Sequence, residues 1–361
     1  MAIAMFALLA GLWSGLLRLG WDIPGVRPSF PLAHGPLMVS GFLGTLIGLE
    51  RAVALGRRWA YAAPLLSALG VLAIVAGVPG SVAPLAMMLG SIGLLAIFAV
   101  IIRAQPALFT VTMGVGVLAW LAGNAAWVAG WPLYEVVSWW MGFLVLTIAG
   151  ERLELSRFTQ RSRASETVFL LIIVTLCAGL TSGGMAADDG ARLTGLSLVA
   201  LTVWLLRHDI ARRTVRQTGL TRYVAVCLLS GYVWLGLGGL LSVILGRVVV
   251  GLHYDAILHA IFLGFVFAMI FGHAPIIFPA VVGVPVPFRP AFYAHLGLLH
   301  FSLLLRVVGD LGASLPLRQW GGLLNVAAVL LFLANIVFAV RRGQLAMTLA
   351  RRNDARHITA S

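Results

Sequence analysis

Histidine is the residue type in this chain whose positions could support chemistry. Six of the eight histidines fall in or beside long apolar segments, where each ring must satisfy two nitrogen atoms without water. His208 and His357 lie instead in arginine-rich polar segments, and we assign them no role. Imidazole ligates haem iron, copper and zinc, so the residue type alone does not select the metal.

One pair of histidines lies at matched depth. His34 is seven residues before Gly41-Phe42, and His259 is five residues before the similar Gly264-Phe265. At about 1.5 Å of rise per residue the two rings differ by about 3 Å along their helices. The spacing predicts that they ligate one haem iron from both sides. The alternative is that each ring only hydrogen-bonds a neighbouring helix.

Other residues accompany this pair at the same end of their segments. His253 precedes His259 in the tenth apolar segment, and Asp255 lies between them. Asp255 either caps its helix or orients a ligating histidine. Trp139 and Trp140 lie at this depth in the sixth segment. The two indoles either anchor the protein in the bilayer or form a wall of a haem pocket.

A second group of histidines lies nearer the opposite end. His273 ends the tenth segment, and His295 and His300 lie in the first half of the eleventh. Five residues rotate a helix by about 500°, so His295 and His300 are offset by about 140° and cannot both face one site. We expect a second haem or a copper ion at this group, with one of the two lining a cavity instead.

The elements that carry these histidines are membrane spans. Of 361 residues, 61% are hydrophobic and 10% charged, whereas soluble domains carry about 25% charged residues. Runs of about 18 apolar residues can cross a bilayer. We expect an all-α integral membrane protein of about twelve transmembrane helices in a lipid bilayer, forming one domain over residues 1–361 with a polar tail at 346–361. The segments lie near 2–19, 34–54, 59–78, 83–103, 107–130, 133–153, 166–185, 190–207, 220–246, 252–275, 290–308 and 320–340.

The basic residues predict the orientation. All 25 are arginine, and with the N-terminus inside, nineteen lie in inner loops and the tail, including Arg157 and Arg161. This asymmetry places both termini in the cytoplasm. Charge spread over short loops also argues against a nucleic-acid partner, despite a net charge of +13. The first segment lacks a basic start and a clear cleavage site, so we expect a retained helix. The six outer arginines are Arg18, Arg27, Arg192, Arg247, Arg306 and Arg318.

The chain also repeats itself. The stretch GFLGTLIGLER at 41–51 matches GFLVLTIAGER at 142–152 in six of eleven positions, at an offset of 101 residues. The stretch at 264–274 begins with Gly-Phe and has His273 where the other two have glutamate. We expect three four-helix units, at about 1–105, 106–207 and 208–345. The alternative is a chance match between apolar helices.

Two family resemblances follow from these motifs. The second segment, AHGPLM at 33–38 and then Gly-Phe, resembles the haem-ligand motif of haem-copper oxidase catalytic subunits, in which a histidine is followed four residues later by methionine. The tenth segment, with HA at 259–260, Gly264, Met269 and GH at 272–273, is similar to the NnrS family. NnrS proteins have twelve helices, are reported to carry haem and copper, and are linked to nitric oxide metabolism.

The resemblance implies a bacterial cytoplasmic-membrane protein with the threefold plan of oxidase subunits. It implies one or two haem b groups, with His34 and His259 as ligands, Met38 beside them, and copper as a further cofactor. The electron donor would be a quinol or a cytochrome; a homo-oligomer is left open. Two departures matter: Pro36 replaces the second histidine of the NnrS motif, and segments six and seven hold no histidine. Oxygen reduction at a haem-copper centre is therefore not implied.

Three functions are consistent with these observations. The first is a haem-binding protein in electron transfer or nitric-oxide-related redox chemistry, which includes a haem-dependent oxidoreductase. The second is a transporter of a metal ion or small molecule along a histidine-lined path, which a helix broken at Pro275 or Pro279 would favour. The third is an enzyme that modifies a lipid or quinone with histidine as base, although clusters of acidic residues are not evident. Walker, HExxH and GxSxG motifs are absent from the sequence.

Overall fold

The computed structural model describes residues 1–156 and 162–359, and for 280–282 and 345–359 the backbone alone. These residues form helices and no β-strand. Eleven helices are long and apolar enough to cross a bilayer, and α1, with 17 residues, is a shorter apolar helix. The predicted fold class, an all-α multi-span membrane protein, is confirmed. The helices are α1 (Ala2–Arg18), α2 (Phe30–Leu55), α3 (Arg58–Ala76), α4 (Val82–Ala104), α5 (Leu108–Val128), α6 (Leu133–Leu155), α7 (Arg163–Thr181), α8 (Asp188–His208), α9 (Gly219–Leu245), α10 (Leu252–Pro279), α11 (Phe292–Leu311) and α12 (Leu315–Gln344).

Glycine and proline residues mark several of the helix ends. Gly56 and Gly77 follow α2 and α3 with φ of +66° and +73°, a left-handed conformation that glycine adopts without a Cβ clash. Pro132 precedes α6, where its missing N–H costs no helical hydrogen bond. The backbone of α12 remains helical as far as Thr359, so the tail predicted from residue 346 continues the last helix. Arg157, Arg161 and residues 360–361 lie outside the described residues.

Three helices occupy the centre of the bundle. Successive helices pack against one another, and α12 returns to α1. The most buried apolar stretches belong to α2, α6 and α10, with 67%, 78% and 67% of residues inside, against 33% for α4 and α12. The sequence stretches at 41–51, 142–152 and 264–274 therefore lie in the interior.

The first glycine of each of these stretches lies at a close helix contact. A Cβ added to Gly41 would come within 2.9 Å of Val71 on α3, and one on Gly142 within 2.5 Å of Leu180 on α7. On Gly264 it would meet Trp234 of α9 and, at 2.9 Å, a side chain of α11. Each central helix thus packs closely against a neighbour at the same position of the shared pattern.

Two of the central helices contain π-helical turns. The π-helical stretches are Leu37–Gly44 in α2 and Ala260–Phe267 in α10, and they begin shortly after His34 and His259. Wide turns of this kind are rare and occur often at functional sites. The helix of α10 continues through Pro275 and Pro279 to Val282, so the break that would favour a transport path is not present there.

A buried ion pair joins α6 to the segment after α8. The Arg152 guanidinium donates from Nε to Asp209 Oδ2 at 2.7 Å, and the two side chains are 3% and 1% exposed. The Tyr232 hydroxyl donates to the same carboxylate oxygen at 2.9 Å. The pair lies at the end of the bundle that carries Glu50 and Glu151, which we call the glutamate end.

We expect Asp209→Ala to lower the free energy of unfolding by about 3–5 kcal/mol, because it leaves a buried guanidinium without its counter-charge. Thermal unfolding of the purified protein in detergent measures the change. Asp188→Ala is the control, since Asp188 pairs with Arg192 on the exposed surface. Equal melting temperatures for the two variants would contradict this account of the pair.

Candidate functional site

His34 and His259 face each other at the end of the bundle that carries them, which we call the histidine end. Their ring centres are 6.3 Å apart and their planes differ by 14°. A ring nitrogen lies about 1.1 Å from its ring centre and binds a metal at about 2.0 Å, so two rings that ligate one ion head-on have centres about 6.2 Å apart. The observed separation of the ring centres is close to that distance.

Hydrogen bonds set the tautomer of both rings. Nδ1 of His34 lies 2.8 Å from the carbonyl oxygen of Gly11, and Nδ1 of His259 lies 2.8 Å from that of Asp255. A carbonyl oxygen only accepts, so each Nδ1 carries the proton and donates it. Each Nε2 then holds a free lone pair, and within the described chain neither Nε2 has a hydrogen-bond partner. This is the state in which histidine binds a metal.

Helix α1 provides both the acceptor and the space for His34. Its Gly11 carbonyl accepts from Nδ1, and Gly15, one turn later, lies under the ring. A Cβ added to Gly15 would come within 2.9 Å of Cε1 and Nδ1 of His34. Only a glycine lets the ring approach α1 this closely without displacement.

Two cavities meet at the histidine pair, and both rings line both of them. The first has apolar walls that include Leu12, Met38 and Phe262. The second lies at the histidine end, and Arg18, Arg306 and Arg318 form part of its lining. One cavity is therefore apolar and the other carries basic side chains.

A cluster of ion pairs links α10, the helix that carries His259, to its neighbours. The Asp255 carboxylate accepts from Nη2 and Nε of Arg306 at 2.7 and 3.0 Å. Arg318 Nε lies 2.9 Å from Asp310 Oδ1 and 3.8 Å from Asp255. The cluster joins α10, α11 and α12 beside His259, whose ring is oriented by the Asp255 carbonyl. Sequence reasoning missed Arg306 and Arg318, although acids and arginines at one depth were a usable signal.

Of the other residues predicted beside the histidine pair, two line a cavity there and two do not. Met38 lines the apolar cavity and Trp140 lines the arginine-lined one. Trp140 Nε1 also donates to Asn124 Oδ1 at 3.0 Å, which fixes the indole. Trp139 packs near Gly123 and lines neither cavity. His253 is exposed and lies outside both linings.

The structure does not bring His273, His295 and His300 together. His295 has both nitrogens occupied, Nε2 at 2.8 Å from the Tyr223 hydroxyl and Nδ1 at 3.0 Å from Asn335 Nδ2. His300 accepts from Trp234 Nε1 at 3.0 Å, and its Nε2 lies 2.8 Å from a serine hydroxyl.

His273 belongs to a different set of contacts. Its Nδ1 lies 2.7 Å from the Met269 carbonyl, and its Nε2 lies 3.2 Å from Nη1 of Arg152. Among the described residues no three histidine, cysteine or acidic side chains form a group that could hold a metal ion. Each of the three rings has a polar partner of its own in the described chain, and a second haem or copper site at this group stays a prediction.

One family match covers this region of the chain. The model of a family described as a domain of unknown function, DUF8744, matches residues 1–341. The match includes every residue that lines the two cavities at the histidine pair. No curated protein matches the chain.

We expect His295→Phe to destabilise the protein by about 1–3 kcal/mol without changing its bound-metal content, because the change leaves the partners of His295 unpaired in the core. Thermal unfolding and elemental analysis of the same preparation measure the two quantities. His253→Phe, at an exposed position, is the control for stability. A loss of metal at unchanged stability would show instead that His295 is a ligand.

Proposed function

The chain belongs to this family, and we propose from the geometry of its own residues that it is a membrane protein that binds haem b between His34 and His259. The observation that carries the proposal is the 6.3 Å separation of two nearly parallel rings whose Nδ1 atoms are both bound to carbonyls. The resemblance to NnrS proteins and to haem-copper oxidase subunits supports the same two ligands.

Haem explains this site better than a bare metal ion does. Two imidazoles alone leave a divalent transition-metal ion short of ligands, whereas a porphyrin supplies four further nitrogens. The apolar walls around Met38 suit the macrocycle. Arg18, which also lines the second cavity, suits a propionate, since arginine forms charge-assisted hydrogen bonds with carboxylates.

The ligand set favours electron transfer. Bound haem supplies a one-electron carrier, and with a histidine on each face the iron has no open position for a gas or substrate. Nitric-oxide-related redox chemistry, which the NnrS resemblance implies, would require one histidine to leave. Copper and a second haem are not part of this proposal, because His273, His295 and His300 are held by protein partners.

We also propose that the twelve helices are three four-helix units, α1–α4, α5–α8 and α9–α12. The close contacts at Gly41, Gly142 and Gly264 support this plan, as do the central positions of α2, α6 and α10. The arginine distribution supports a glutamate end that faces the cytoplasm of a bacterial cell.

The first test is the colour of the purified protein. We expect a red preparation with a Soret band and one haem b per chain. His34→Ala and His259→Ala each remove one of the two axial ligands and should abolish the band, whereas His253→Ala should leave it unchanged because His253 lies outside the cavities. A colourless, folded protein from haem-replete cells would falsify the proposal.

A second test uses the space beneath His34. Gly15→Ala adds a methyl group within 2.9 Å of the ring, so we expect haem to be held about tenfold more weakly, an effect typical of changes beside a ligand. The rate of haem transfer to apomyoglobin measures this. Gly297→Ala on α11 is the matched control, because nothing lies within 4 Å of its added Cβ. Equal transfer rates for the two variants would count against the His34 assignment.

A further inference from the structure

A further cavity lies between α2, α6 and α10 at the glutamate end. The three helices contribute side chains at the same positions of their shared pattern. Ile47, Ile148 and Ile270 occupy one level of the wall, and the residues three positions later, two glutamates and a histidine, line it as well. The cavity is therefore apolar along its walls, with its ionisable side chains drawn from one level of the three helices.

Two of these three side chains contact an arginine from another central helix, and the third does not. Arg51 of α2 donates to Glu151 of α6, and the equivalent Arg152 of α6 lies 3.2 Å from His273 of α10. The equivalent position on α10 is Ala274, which lines the cavity. Glu151 and His273 thus each contact an arginine from another central helix, whereas Glu50 of α2 has no such arginine from α10.

Glu50 is the carboxylate left available to a ligand. Its nearest cation is the adjacent Arg51, at 3.7 Å, and Arg51 is already bound to Glu151. In the described chain no hydrogen bond to the Glu50 carboxylate is found. An ionised carboxylate accepts hydrogen bonds and repels anions, so it suits a ligand with hydroxyl donors and opposes a fatty acid or a phosphate head group.

The walls favour a ligand that comes from the bilayer. Half-buried side chains of Met5 on α1 and Leu333 on α12 form part of the lining, so this side of the cavity lies at the lipid-facing surface. A small hydrated cation would gain nothing from apolar walls. A neutral amphiphile with a hydroxyl-bearing head and an apolar tail fits both the walls and Glu50.

The cavity also adjoins the one at the histidine pair. Leu43 and Phe267 line both, so one layer of side chains separates them. A ligand here would lie next to the proposed haem. Of neutral amphiphiles with hydroxyl donors, a hydroquinone is the class that gives up electrons as well as protons.

We propose that this cavity binds a lipid-soluble hydroquinone with one hydroxyl against Glu50; its role as electron donor rests on the proposed function. Oxidation of one hydroquinone to the quinone releases two electrons and two protons. The two electrons would leave one at a time through the haem that His34 and His259 are proposed to hold, and two molecules of a one-electron acceptor would take them up. Glu50 accepts the protons in turn and releases them to the polar glutamate end.

The test uses the full-length protein in nanodiscs and a decyl-tailed benzoquinone with a photoreactive azide. We expect crosslinks to cavity residues such as Ile277 and Phe278, competed by the unlabelled quinone and not by palmitate. Ala274→Arg supplies the missing arginine and Ile148→Phe fills the cavity, and each should weaken binding at least tenfold. Glu50→Gln removes a charge-assisted hydrogen bond and should weaken hydroquinone binding about tenfold. Glu166→Gln, exposed at the start of α7, is the matched control.

Reduction of the haem by decyl-benzoquinol, followed at its visible bands, provides the second readout. Glu50→Gln should slow it, with Glu166→Gln unchanged. Crosslinks confined to lipid-facing residues, or full competition by palmitate, would contradict the proposed binding site. Unchanged quinone binding in folded Ala274→Arg and Ile148→Phe would contradict it as well. A haem-loaded protein that binds no quinone overturns this inference alone. A protein without haem that still binds the quinone overturns the haem proposal and the electron route, and leaves the binding site.

Discussion

The interior of this bundle offers its polar groups little water, so a nitrogen or oxygen there is costly unless it finds a partner in the protein or in a ligand. His295 and His300 obey this rule completely, with both ring nitrogens bound to side chains of neighbouring helices. In His34 and His259 only Nδ1 has a hydrogen-bond partner in the described chain, and Nε2 has none. The free Nε2 atoms distinguish this proposed ligand pair from the histidines that have only protein partners.

The same constraint explains where the charges lie. Arg152 and Asp209 neutralise each other at the glutamate end, and Arg306 and Asp255 do so at the histidine end. Each pair ties distant parts of the chain together, because leaving one partner alone in the bilayer would be costly. At the histidine end the pair also holds α10 beside α11, which keeps the His259 ring at its distance from His34.

The three central helices share a sequence pattern, and departures from it coincide with the two proposed sites. In α2, α6 and α10 the pattern begins at Gly41, Gly142 and Gly264. Histidines occur near the start of two of these helices and not of the third, so the proposed ligand pair is one departure. Ala274, where the pattern elsewhere has arginine, is another, and Glu50 lines the cavity at the glutamate end. The two cavities then adjoin each other at Leu43 and Phe267.

The sequence by itself determined the membrane character, the number of helices and the candidate pair, because hydropathy and a rise of about 1.5 Å per residue are local properties of a helix. It could place His34 and His259 at one depth. Only the tertiary structure decided which ring nitrogens are free, because the acceptor for His34 is a carbonyl on α1, and the partners of His295 are 72 and 40 residues away in the chain. Rotation about a helix axis, which sets such partners, depends on packing between helices that are far apart in sequence.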